Sequence, residues 1–414
     1  MSIKLDIKLA VEGTRFLVYP QPRTLRAFSK PEVVVVSVPP SEIQPGPSDR
    51  RMYVVDPQKK RPYGPRTAPP YSGKTSEPLT PARNGHFTHV QPETREFAVA
   101  AMYATVRRVL DVWEDYLGKP LQWIFTGDYD RLELLPLVQF ENAQAGHGFL
   151  EFGYARNAKR GRLNDAYCLN FDVLAHEFGH CMIDSLIGYP QSDTTTSIDY
   201  GAFHESSADL VSIVSALHFD SVVKHILDST KGNLFSKNEL SRIGELSESR
   251  ELRRAFNSLK MSDIGDEPHD RSEPLTGAFF DVFVEVFQKK LVDKGLITAD
   301  LAQRSTQGIG VDLEDPRFPR EFAAAYRGKS SEFKQALLES RDYLGLLLAR
   351  VWKSLPPDNV GFGDIYKRAR KADTIISKGA HRTTIDECFA WREIGVGQLP
   401  RTMRIRSIRA CRAH

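Results

Sequence analysis

Residues 171–180 read F-D-V-L-A-H-E-F-G-H, and residues 201–210 read G-A-F-H-E-S-S-A-D-L. On a helix, His176 and His180 stand four residues apart, so they share one face and can point at one metal ion. Glu177 lies between them, within reach of the same pocket as a general base. Twenty-five residues beyond His180 comes Glu205, with Asp209 four further on. The spacing predicts two facing helices that together supply two imidazoles and one carboxylate. Such a set leaves a fourth coordination position for water, which catalytic zinc needs and structural zinc avoids. Asp209, one turn after Glu205, is placed to accept the remaining ring N–H of a metal-binding histidine and so fix its tautomer.

A charged, solvated helix face would carry the same letters. The surroundings argue against it: V-L-A-H-E-F-G-H-C-M-I and G-A-F-H-E-S-S-A-D-L-V-S-I-V are apolar on most sides. Imidazoles and carboxylates buried in such helices need partners, and a metal ion supplies them.

The rest of the composition is ordinary. The chain has 414 residues, 41% hydrophobic and 26% charged, with a formal net charge of +3. That length allows two or three lobes with their own cores. The near-neutral balance calls for neither a nucleic acid nor an anionic membrane. Cys168, Cys181, Cys388 and Cys411 share no metal-type spacing and outline no disulfide framework. No apolar run reaches the roughly 18–20 residues of a membrane span, and the polar start S-I-K-L-D-I-K-L lacks the apolar core of a secretory signal. The expected location is therefore cytoplasmic, with export by another route left open.

In chain order, residues 1–40 alternate in short β-branched runs that read as strands. Residues 39–92 turn to Pro, Gly, Ser and Arg and read as loop or linker with polyproline character. One strand-like run around Tyr53 interrupts them and is expected to pair with the earlier strands. Val99, Met102, Val106, Val109, Leu110, Trp113 and Leu117 mark a helix that Gly118 and Pro120 end. Q-W-I-F-T-G, L-L-P-L-V-Q-F and residues 149–154 are strand-like. Residues 210–227, 237–260 and most of 281–355 read as helical. Arg401, Arg404, Arg406, Arg409 and Arg412 form a basic tail, read as solvated or docked.

With these motifs in view, the chain resembles the thermolysin-like metallopeptidases, a group of the gluzincins. F-D-V-L-A-H-E-F-G-H and G-A-F-H-E-S-S-A-D are similar to that family's zinc-helix and third-ligand motifs. E-N-A-Q-A-G-H-G-F-L-E-F-G-Y (141–154) resembles its edge strand, which makes Asn142 and Ala143 the candidates for holding a substrate backbone. P-H-D-R-S-E-P-L-T-G-A-F-F resembles the segment with its second catalytic histidine, here His269. The helix near 97–117 and W-K-S-L-P-P-D-N-V-G-F-G-D-I-Y-K-R-A fit the same pattern, so the likeness covers roughly residues 95–375.

The resemblance implies an α+β, two-lobed fold, β-rich in its N-terminal lobe and helical in its C-terminal one, with the zinc helix between them. It implies one catalytic Zn2+, held by His176, His180 and Glu205, with Glu177 as base and His269 as donor to the oxyanion. An acid beside His269, Asp266 or Asp263, should hold its ring. A tyrosine between the zinc helices, Tyr189 or else Tyr200, should be a second donor, and Arg253 or Arg254 should bind a substrate carbonyl. Three departures stand out. His204 replaces the family's usual Asn before the third ligand, the interval from His180 to Glu205 is long, and the acid-rich loops of the double calcium site are missing, so no calcium is expected there.

The expected organisation is a strand-rich region with a Pro-rich linker over 1–92 and a β-rich lobe over 93–187 ending in the zinc helix. A helical lobe over 188–380 and a basic tail over 381–414 complete it. The expected activity is metal-dependent endopeptidase cleavage of a peptide or protein substrate, with no specific nucleic-acid partner, no membrane span and no expectation about oligomeric state. An aminopeptidase would need an acidic clamp for a free amine, and no such motif is visible. An inactive interaction module would be expected to have lost Glu177, which is present.

Overall fold

Alternating valines set the first sheet. In the computed structural model, which describes residues 9–154, 166–235, 257–307 and 317–395, strands β1 (Thr14–Val18) and β2 (Glu32–Val36) pair antiparallel, Thr14 opposite Val36. Phe16, Val18, Val34 and Val36 turn inward and are buried, as the period of two requires. They pack on helix α1 (Arg95–Leu117). The Phe16 ring stacks on Phe87 at 4.7 Å and lies 5.5 Å from Tyr103 of the helix.

Helix α1 starts where Thr94 Oγ1 accepts the Phe97 N–H at 3.1 Å and ends at Gly118 in the left-handed conformation. Its expected apolar stripe is buried, but so are Arg107, Arg108 and Asp111. Arg107 reaches Asp111 at 2.9 Å, and Asp49 accepts from the Tyr103 hydroxyl at 2.8 Å. This is a central helix with its charges paired inside, rather than an amphipathic one with a wet face.

The second sheet has the order β3 (Met52–Val54), β4 (Leu132–Leu135), β6 (Phe149–Phe152), β5 (Ala143–Gly146); the first two pairings are parallel and the last is antiparallel. Two expectations need correction here. The run around Tyr53 pairs with β4 and not with the earlier strands, because Met52 and Val54 find buried partners in Leu132 and Leu134. Residues 122–127 form no strand but an irregular stretch that turns from Ile124, with Trp123 and Phe125 stacked at 5.4 Å and Trp123 Nε1 donating to the Arg51 carbonyl at 3.2 Å.

The Pro-rich stretch is also more than a linker. Glu133 and Glu151, on β4 and β6, are completely buried. Glu133 accepts from the hydroxyls of Tyr53 (3.1 Å) and Tyr63 (2.7 Å) and from the Tyr71 N–H (2.8 Å). Glu151 accepts from Lys60 Nζ (2.6 Å), the Tyr63 N–H (2.7 Å) and Gln144 Nε2 (2.5 Å). Residues 60–71 are thus a cover fastened to the sheet by two buried carboxylates.

Among the described residues, one compact unit takes in the chain up to Gly188 together with Val211–Ala216. A second takes in Tyr189–Leu210 and the described residues from Leu217 onward. The named strands all lie in the first unit, which also holds α1 and α2 (Phe171–Ile187). Helix α3 (Ile198–Ala216) is continuous and contributes to both. The second unit is helical: α4 (Asp220–Thr230), α5 (Pro268–Asp293), α6 (Ala299–Gln307), α7 (Arg317–Tyr326), α8 (Ser330–Trp352), α9 (Phe362–Ser377) and α10 (Arg382–Trp391). Phe279, Phe283, Leu344, Leu348, Ile365 and Phe389 are among its buried residues. The segment expected to be a tail from residue 381 opens instead with helix α10. Phe389 packs on Phe279 at 5.2 Å, and the buried Arg392 donates to Asp281 at 2.8 Å. The tail arginines from Arg401 on, and Arg253 and Arg254, lie outside the described residues. No single described helix is long and apolar enough to cross a membrane.

Candidate metal centre

Helix α2 begins because Asn170 caps it, its side-chain oxygen accepting from the N–H groups of Asp172 (3.0 Å) and Val173 (3.4 Å). It ends at Gly188, whose φ of 86° suits glycine. Leu174, Ala175, Phe178, Cys181 and Met182 are buried, and this fixes the rotation of the helix about its axis. His176 is buried as well, while Glu177 and His180 are partly exposed. The two imidazoles converge: Nε2 of His180 lies 3.1 Å from Nε2 of His176, with the rings nearly perpendicular at 86°. Two nitrogens on a tetrahedral zinc at ~2.0–2.1 Å would stand about 3.3 Å apart. The observed separation is within a few tenths of that.

Helix α3 is rooted in the first unit by its last turns. Trp113 Nε1 of α1 donates to Ser215 Oγ at 3.1 Å. Asp172, the second residue of α2, takes Gln21 Nε2 at 3.0 Å and Ser212 Oγ at 3.5 Å on the same carboxylate oxygen. Glu205 stands about two turns N-terminal to Ser212 on this helix. One ligand atom each from His176, His180 and Glu205 lie within 4.8 Å of one another, and among the described residues no other group of three or more such side chains meets that condition. Two neutral nitrogens and one carboxylate oxygen suit zinc and similar divalent ions. Asp209 is buried one turn beyond Glu205.

His269 lies in the first turn of α5. Its Nε2 is 3.4 Å from Glu205 Oε1, so the structure brings it to the third candidate ligand. The acid holding its ring is neither Asp266 nor Asp263 but Glu267, whose Oε1 is 2.7 Å from Nδ1. Glu267 is the N-cap of α5, accepting the Asp270 N–H at 2.9 Å, with Pro268 as the first helical residue. The Glu-Pro pair was the available signal, since proline favours the first position of a helix and so marks the residue before it as the cap. Asp263 instead closes a short 3-10 turn by accepting the Lys260 N–H, and Asp266 lies 3.5 Å from Arg271.

The other expected residues fall as follows. Ala143 is the buried first residue of β5, an edge strand of its sheet that packs on α2. Asn142, just before it, is exposed and accepts the Gly153 N–H at 2.9 Å. Tyr189 is 46% exposed directly after α2. Tyr200 lies on α3 with its ring 4.6 Å from that of His204. Burial pushes the His204 imidazole down to about 4, so it is neutral at pH 7 beside Glu205.

Burial also raises Asp184, one turn after His180, to about 7. An unfolded chain surrenders this proton near pH 4, whereas the folded one keeps it to about pH 7. This group therefore costs nothing below about pH 4, and its penalty grows through pH 4–7, where the unfolded chain sheds the proton and the folded one holds it, and levels off above about pH 7. Asp184→Asn is expected to raise the stability of the metal-free protein at pH 8 by about 2–4 kcal/mol and to leave it unchanged near pH 4. Thermal melts across that range, read beside the parent protein, check both ends.

No family model and no curated protein matches this sequence. A solved structure, the precursor of protealysin, a metalloproteinase from Serratia proteamaculans, is similar to the chain at 13% identity and a TM-score of 0.45. The alignment covers 86% of this chain and 89% of that one.

Proposed function

We propose that this chain is a zinc-dependent endopeptidase, and that the thermolysin-like two-lobed architecture belongs to the same reading. The observation that carries it is the convergence of His176, His180 and Glu205 within 4.8 Å, with Glu177 on the same helix turn. A zinc ion held there would act as a Lewis acid on the scissile carbonyl. Glu177 takes a proton from the attacking water and passes it to the leaving amine, as the C–O bond forms and the C–N bond breaks. His269, held at Nδ1 by Glu267, offers its other ring nitrogen to the oxyanion, a role typically worth ~3–4 kcal/mol when the donor is preorganised. Tyr189, or Tyr200, is the second donor. The edge strand at Asn142 and Ala143 aligns an extended substrate by backbone pairing. Asp209 orients a metal-binding histidine.

The test uses the purified chain on casein and on a quenched peptide library. We expect cleavage that a chelator removes and added zinc restores, and His180→Ala should lose both bound metal and activity. Stoichiometric metal with no chelator-sensitive cleavage of any substrate would sink the peptidase reading in favour of a binding module. Cleavage confined to substrates with a free N-terminus would instead make it an aminopeptidase.

A further inference from the structure

We propose that Arg271 is a positioning residue that sets where His269 stands, acting through Asp199; the catalytic part of this proposal rests on the reading of His269 given above. Asp199 lies in the first turn of α3, six residues before Glu205. Arg271 lies in the first turn of α5, two residues after His269. Arg271 Nε and Nη2 both donate to Asp199 Oδ1, at 2.8 and 2.7 Å. The other oxygen, Oδ2, accepts the Phe362 N–H at 3.0 Å. Phe362 opens helix α9, and the preceding Gly361 has no side chain with which to cap it. Asp199 therefore satisfies an orphan amide of α9 from another helix, and its charge meets the positive end of that helix dipole. One carboxylate joins three helix starts.

Two more contacts bracket the same joint. A Cβ at Gly201 would stand 3.3 Å from the Pro268 ring, so α3 and α5 approach there a few tenths of an ångström more closely than a side chain comfortably takes. Farther along, Thr276 Oγ1 donates to Ser206 Oγ at 3.0 Å in the buried interior. The Glu205–His269 pair lies between these contacts.

The direct contacts of the His269 ring are Glu267 at Nδ1 and, at 3.4 Å, Glu205 at Nε2. The histidine side chain is 40% exposed, and its direct partner Glu267 is 53% exposed, the range in which an ion pair contributes ~0–1 kcal/mol. The Arg271 and Asp199 side chains are only 17% and 16% exposed, and the planar guanidinium makes two hydrogen bonds that an ammonium cannot reproduce in that geometry. The firmer constraint on the imidazole is thus the one on its backbone, two residues away.

The experiment has two independent readouts on Arg271→Met, Arg271→Lys and Asp199→Asn. The first needs no activity: the rate at which diethyl pyrocarbonate modifies His269, followed by peptide mass spectrometry. We expect it to rise about threefold or more in Arg271→Met and Asp199→Asn, as the helix start opens locally. The rise should be no larger in the double variant and smaller in Arg271→Lys. The second readout is cleavage: kcat should fall about 10–100-fold with KM within about twofold and metal content unchanged, the scale of a small misplacement. In a His269→Ala background, Arg271→Met should cost nothing further. An unchanged modification rate in folded Arg271→Met, or an equal loss of kcat with and without His269, overturns the proposal. If the parent protein cleaves nothing, the peptidase reading fails alone, and the modification rate still decides whether Arg271 places His269.

Discussion

Glu177→Gln should lower peptide cleavage about 10²–10⁴-fold while the protein still binds one metal ion. The substitution keeps the shape of the side chain and its place between His176 and His180, and removes only the ability to take a proton. Glu177 is partly exposed and glutamine nearly matches it in volume, so the change leaves no cavity and stability should move by about 0.5 kcal/mol or less. Metal content by elemental analysis, thermal melting and kcat/KM on one quenched peptide separate the three effects. A variant that loses its metal as well would place Glu177 among the ligands. A variant of undiminished activity would remove it from the reaction. His180→Ala differs in kind, since it takes away a ligand and should fail in both metal content and turnover.

What the sequence made legible follows from how local each signal is. The two histidines and Glu177 are fixed by a four-residue interval on one helix, and Glu205 with Asp209 by the same interval on the next. Periodicity alone puts such residues on common faces. The stripe on α1 and the strands β1 and β2 were readable for the same reason. The partner of the strand at Tyr53 is not legible in the sequence, because parallel pairing with β4 spans about eighty residues and no local pattern records it. Several acids stand near His269 in the chain, and only the Glu267-Pro268 cap signal separates the one that holds its ring.

The long interval between His180 and Glu205 carries a loop anchored by distant partners. Asp358 Oδ1 accepts from the Gln191 N–H (2.9 Å) and Thr195 Oγ1 (2.5 Å), and the Thr195 carbonyl accepts the Asn359 N–H at 2.8 Å. Those partners lie more than 160 residues away in the chain. Such a loop reads as a polar insertion until its distant anchor is known.

The buried carboxylates of the second sheet were the least visible feature, and they carry the largest expected effect on stability. Lys60→Met should destabilise the first unit by about 3–5 kcal/mol, because it strands the Glu151 carboxylate where no water reaches it. Lys60 and Glu151 have side chains 3% and 0% exposed at 2.6 Å, and the Lys60 ammonium also sits 3.2 Å from the centre of the Tyr63 ring. Glu151→Gln in the same chain should recover a large part of the loss. The amide oxygen still accepts from the Tyr63 N–H, and no net charge is left buried. Lys224→Met is the control, since its partner Asp228 and Lys224 itself are well exposed, and it should shift stability by about 0.5 kcal/mol or less. Thermal or urea unfolding of the four proteins decides the matter. A Lys60→Met protein as stable as its parent would mean that Glu151 takes up a proton or reaches water. The same pair bears on the candidate site, because Glu151 also holds Gln144 of the edge strand β5. If long peptides pair along that strand as proposed, loosening the cover should raise KM for them more than for short ones.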